Sequence, residues 1–258
     1  MSEQFLTAMG LPDDMNQTVL HVLEHCTSKW EGDPRFEHIA NLTDPSGISA
    51  TVMIAEEDVE VGFAVLGQGT LRVDAVQLLP GVAMLDVYDA DGSMLTRVLA
   101  FVDDPQAYPL EDFQSITHAA HLDDFHLGAI AVDMQCYDTR EDWREATKEQ
   151  NLVVLDDGKE VMIGPRFVTS PWLFALASGE ATQDEISPVS HVIGVINAVD
   201  TCTNAITGEQ FYRLSINMGV DIPLVMPIDT TPAPTPGGVV DGRAFLCGSS
   251  GIWVEEEH

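Results

Sequence analysis

The sequence predicts an α+β, β-rich fold: an N-terminal antiparallel sheet or barrel with flanking helices, and a small five-stranded barrel at the C-terminus. Three observations carry that expectation. Between Ile48 and Val102, short apolar runs are split by EED, GQG, PG and ADG, which is hairpin turn chemistry. Helical periodicity is confined to a few short stretches. After the polar, proline-containing stretch ATQDEISPVS, a strand-and-turn pattern starts again.

The first element is a helix within PDDMNQTVLHVLEHCTSKWEGDP, where Met15, Val19, Val22, Leu23, Cys26 and Trp30 share one stripe. Asp13 or Asp14 caps its start, and Gly32 and Pro34 end it. His21 and His25 are four apart but lack the flanking glutamate of an HExxH motif, which favours a surface pair over a metal site. Five strands are expected next, in ISATVMIA, VEVGFAVL, TLRVDAVQLL, GVAMLDVYD and SMLTRVLAFV. GQG lacks the third glycine and following helix of a dinucleotide site, so it is a hairpin feature. Asp91-Gly92 is a turn, because a calcium-loop register would place Val87 and Val98 at ligand positions.

LEDFQSITHAAHLDDFH, residues 110–126, is expected to be a helix, and LGAIAVDMQCY a buried strand. At about 100° per residue, His118, His121 and Asp124 form one row on that helix. Two imidazoles and a carboxylate could hold a divalent transition metal with one distant ligand. Leu122 and Phe125 share part of the arc, which favours structural histidines beside a core contact. TREDWREATKE forms a short helix with Thr139 and Asp142 in capping positions and Trp143 as anchor. NLVVLDDGKEVMIGP is a hairpin at Asp157-Gly158, and SPWLFALASGE is one or two helical turns. A boundary near Gln183 separates domains 1–182 and 183–258.

In the second domain, HVIGVINAVDTCTNAITGEQFYRLSINMG supplies two strands, DIPLVMP a third, VVDGRAFLCG a fourth and IWVEEE a fifth. This final quarter resembles OB-fold modules, with the proline loop TTPAPTPGG standing where that family usually carries a helix. The resemblance implies ligand binding on the face of the second and third strands. Alternation puts Tyr212, Leu214, Ile216 and Met218 on the core side and Phe211, Arg213, Ser215 and Asn217 on the other. Phe211 beside Arg213 is a minimal stacking platform; the competing reading packs Phe211 against the other domain.

Eleven Lys and Arg against 42 Asp and Glu leave a net charge of −31. Direct nucleic-acid binding is disfavoured, because phosphate affinity needs clustered cations. The apolar runs are too short for membrane spans, and MSEQFLTAMG lacks a signal-peptide pattern. Four dispersed cysteines without a CxxC pair suit reduced thiols, so a cytoplasmic protein is expected. GxSxG and GxxxxGK[ST] motifs are absent from the sequence. The favoured function is a non-catalytic binding or scaffold protein that contacts a protein, a second copy of itself or an uncharged ligand, with no cofactor. The alternatives are a metal-binding protein or metalloenzyme at His118, His121 and Asp124, and an acidic nucleic-acid mimic that sequesters a basic partner.

Overall fold

A computed structural model describes residues 3–12, 14–31, 35–56, 58–67, 69–154 and 158–253. The chain begins with two helices, α1 (Glu3–Thr7) and α2 (Met15–His25). Asp14 caps α2 by accepting from the Asn16 amide at 2.9 Å. The expected alternative cap, Asp13, and the expected stops, Gly32 and Pro34, lie outside the described residues. The helix ends before Trp30, which sits instead on strand β1 (Ser28–Glu31). β1, β2 (His38–Thr43), β3 (Ile48–Ile54) and β4 (Val59–Val65) form one antiparallel sheet in that order.

The five strands expected between Ile48 and Val102 are all present; the last three are β5 (Leu71–Leu79), β6 (Val82–Tyr88) and β7 (Met94–Val102). They form an antiparallel meander. Next comes β8 (Ala120–Tyr137), at 18 residues the longest strand described. Helix α3 (Arg140–Ala146) buries Trp143, as expected, and Thr139 caps it by accepting from the Asp142 amide at 3.1 Å. A small hairpin of β9 (Leu152–Val154) and β10 (Glu160–Met162) matches the expected one, although Asp157 lies outside the described residues. β11 (Phe167–Thr169) and α4 (Pro171–Ser178) lead to β12 (Val189–Thr203), β13 (Gln210–Asn217), β14 (Asp221–Pro227) and β15 (Val239–Ser249).

Two rings of strands share their walls. In the first, β7 runs parallel to β15 at Phe101–Cys247, β15 is antiparallel to β8, and β8 returns to β5. In the second, the meander β12–β13–β14 runs parallel to β8 at Leu224–Ala129, and β15 returns to β12. The connectivity is the same in both, with the roles of β8 and β15 exchanged. Each of these two strands closes both rings. One cluster of buried side chains fills both, from Val73 and Leu85 through Leu127 and Ala129 to Ile216 and Leu246. A second cluster lies between the rings and the β1–β4 sheet, and joins Phe5, Met9, Val52 and Phe63 to Ile130, Phe211 and Cys247.

Three expectations are corrected. Residues 110–126 are not a helix: Ala120 onward belongs to β8, and the residues before it are loop. The misleading signal was the i, i+3 spacing of Leu122 and Phe125, which a bulge produces; their partners on β5 are Val73 and Leu71, only two apart. Position 183 is not a free linker. Its Gln183 amide donates to the Leu78 and Glu111 carbonyls and accepts from the Phe113 amide, which ties the segment to the first ring. Finally, residues 183–258 do not close by themselves. Four strands follow Gln183, Ile252 and Trp253 lie in a turn, and residues 254–258 lie outside the described set; the closing wall is β8, from upstream.

Candidate functional site

The His118/His121/Asp124 row is not assembled. His118 lies in the loop, with Nδ1 3.1 Å from Glu111 and 2.8 Å from Thr117 Oγ1. His121 pairs with Asp74 at 2.5 Å, and Asp124 accepts from Thr70 at 3.2 Å. Among the described residues, no group of three or more His, Cys, Asp or Glu is arranged to hold a metal. Thr117, His118 and Glu111 look like a hydroxyl–imidazole–carboxylate triad. Both contacts use Nδ1, however, so the ring cannot pass a proton from one partner to the other.

The stacking platform is also dismantled. Leu214, Ile216 and Met218 face the ring interior as expected, with Tyr212 packed against them. Phe211 is fully buried on the opposite side, beneath the β1–β4 sheet, so it is a packing residue. Arg213 donates to the carbonyls of Ser46, at 2.6 Å, and Leu66. Its guanidinium braces the β2–β3 turn, with Nη1 and Nη2 both spent on backbone carbonyls.

Two other places carry unusual chemistry. The first is a buried carboxyl pair at the end of β7. Asp103 and Asp104 are fully buried. Asp104 accepts from the Ser250 amide at 2.8 Å, from the Ser250 hydroxyl and from Tyr108 Oη at 2.7 Å. Asp103 Oδ2 accepts from Ser49 at 2.7 Å, while Oδ1 has no hydrogen-bond partner among the described residues. Burial, then the Asp104 charge, pushes Asp103 well above the usual carboxylate range; the Ser49 and Ser249 hydroxyls oppose this only in part. Burial also pushes Asp104 up to about 6, and its three donors keep it the more acidic of the two. Topology does not demand these acids. Superposing the parallel pair Phe101–Cys247 on Val225–Ile130, both facing the β1–β4 sheet, sets Pro227 and Ile228 where the first ring has Asp103 and Asp104.

The second place is that other end, where the second ring opens. A cavity of about 480 Å³ is walled by Gly10–Pro12, the β12–β13 turn and Ile228. It shares Leu11, Pro12 and Thr207 with a neighbouring cavity of about 460 Å³ that runs along α2 past Leu20 and Glu24. Together they make one groove. Its walls are fixed: Asn204 Nδ2 donates to Met9 O at 3.0 Å, Thr207 Oγ1 to Gly10 O at 2.5 Å, and the Ala205 amide to Asp44 at 2.9 Å. Gly10 has φ +65°, and a Cβ there would sit 2.9 Å from Glu209 O, so the loop can approach the turn only with glycine. The sequence signalled both places only faintly. Asp103-Asp104 looked like one acidic pair among many, and the groove joins residues nearly two hundred positions apart.

Family models, curated proteins and solved structures were compared with the chain, and none matches it. Among the described residues, no helix is long and apolar enough to cross a membrane.

Proposed function

We propose that the chain is a non-catalytic binding or scaffold protein built on two OB-like rings, and that it meets a protein partner in the groove beside the β12–β13 turn. A three-strand meander, a strand returning to its first member and another running parallel to its third is OB-type connectivity. In the second ring β15 takes the returning place and β8 the parallel one. The β12–β13 turn is then the loop between the first two strands, one of the loops through which such modules bind. The observation that carries the reading is the braced groove itself. Its floor includes Leu11, Pro12 and Ile206, its edges present Leu20 at 59% and Ile228 at 39% exposure, and its walls are held before any partner arrives. Preformed concave walls reduce the ordering cost of association.

The test is a photo-crosslinking amino acid placed in the full chain, inside its own cells, at Ile228 or at Leu95, an exposed residue of β7. A discrete protein adduct at Ile228, missing at Leu95, is the expected result. No adduct at Ile228, or the same adducts at both positions, contradicts the reading.

A further inference from the structure

We infer that the groove takes a basic segment of a partner protein, one in which lysines or arginines alternate with apolar anchors. This rests on the groove being the partner face. Its floor is apolar, while its rim carries the exposed carboxylates of Glu24, Glu209 and Asp229. Among the described residues, no lysine or arginine lines either cavity; His21 is the one side chain there that can become positive. Three carboxylates around an apolar trough set two conditions on an occupant. An acidic segment meets repulsion that salt screens over about 8–10 Å, and a purely apolar one covers the carboxylates without pairing them. A segment with apolar anchors and cationic flanks fills the floor and pairs the rim. The chain's own charge of −31 raises the encounter rate for the same class of partner.

The two ends of the fold support this selectivity. Where the first ring buries Asp103 and Asp104 under Ser250 and Tyr108, the second has Pro227 and exposed Ile228. The matching position is sealed in one ring and presented as an apolar anchor point in the other.

The experiment uses the full chain and a fluorescent octapeptide of alternating lysine and leucine, followed by anisotropy. Alternating lysine–serine and glutamate–leucine peptides serve as comparators. The lysine–leucine peptide should bind best. A Glu24→Gln/Glu209→Gln/Asp229→Asn variant should weaken it about tenfold and flatten its salt dependence. Leu20→Ser/Ile228→Ser should weaken it by a similar factor with the salt dependence kept; both side chains are exposed, so the fold should tolerate the change. Glu141→Gln/Glu145→Gln/Glu149→Gln, on and just after α3, should change nothing. Equal weakening by the α3 variant, equal binding of lysine–serine, or no binding of lysine–leucine overturns the inference. If crosslinks still form at Ile228, the face is right and the partner chemistry wrong; if both fail, the functional reading fails too.

Discussion

A Gly128→Val variant should lose about 3–5 kcal/mol of stability, a large share of what a domain of ordinary stability possesses. Gly128 pairs with Cys247 near one end of the shared wall, where β4 crosses over it. A Cβ at this position would lie 2.5 Å from the Val65 carbonyl oxygen and 2.9 Å from Val65 Cβ. The obstacle is backbone, so no rotamer change relieves it. The β1–β4 sheet must lift from the shared strands, and the cluster between them, including Phe63, Val65 and Ile130, opens with it. Gly62 offers a graded comparison. Its Cβ would meet the Phe101 ring at 1.7 Å, a closer clash, but with a side chain that can turn away. Urea titration of Gly128→Val and Gly62→Ala should place the first far below the second. A Gly128→Val midpoint equal to that of the unaltered chain would mean that β4 does not cross there.

The second large effect is on pH dependence. Asp103 and Asp104 both have pKa values raised in the folded state, so the native protein holds protons that the unfolded chain releases. Their contribution to stability is therefore fully present below about pH 4, the unfolded carboxylate value, and is lost as pH rises through about 6 and beyond. For Asp104, a rise from 3.8 to about 6 corresponds to on the order of 3 kcal/mol. Asp103 is the position to alter, because Asp104 accepts three hydrogen bonds that an asparagine could not all keep. Asp103→Asn imitates the protonated acid and can still accept from Ser49. By calorimetry at constant ionic strength, the unaltered protein should lose melting temperature from pH 4 to pH 8. The variant should match it at the acidic end and exceed it at pH 8. Repulsion among the many surface carboxylates gives both proteins the same background slope, so the difference between the curves isolates Asp103. Parallel curves would show that Asp103 ionises as freely in the native state as in the unfolded chain.

Local signals in the sequence were reliable where they were dense. Apolar runs bounded by turn residues located β3 to β7, and Thr139 with Trp143 located α3, because hairpin and capping chemistry are decided within a few residues. Two things escaped. A bulge in β8 gave Leu122 and Phe125 a helical spacing, and this placed His118, His121 and Asp124 on a helix face that does not exist. The role of β8 was also invisible, because pairing to β14 and β15 bridges about a hundred residues and leaves no local mark. The strands from β5 to β8 also form a meander followed by a strand that returns to its first member, a pairing that leaves no local mark either. The expected outward face of β13 failed for a related reason: alternation assigns two faces but cannot say that the second is covered by another sheet, as Phe211 is.

β8 and β15 serve as walls of both rings, and this places the groove, the acid pair and the covering sheet. A methyl-labelled sample resolves it by nuclear Overhauser contacts from Ala129, which lies between Leu246 on one side and Leu224 on the other. Cross-peaks from the Ala129 methyl to the methyls of both leucines are the predicted result. Contacts from Ala129 confined to residues before Gln183 would contradict the shared wall and everything built on it.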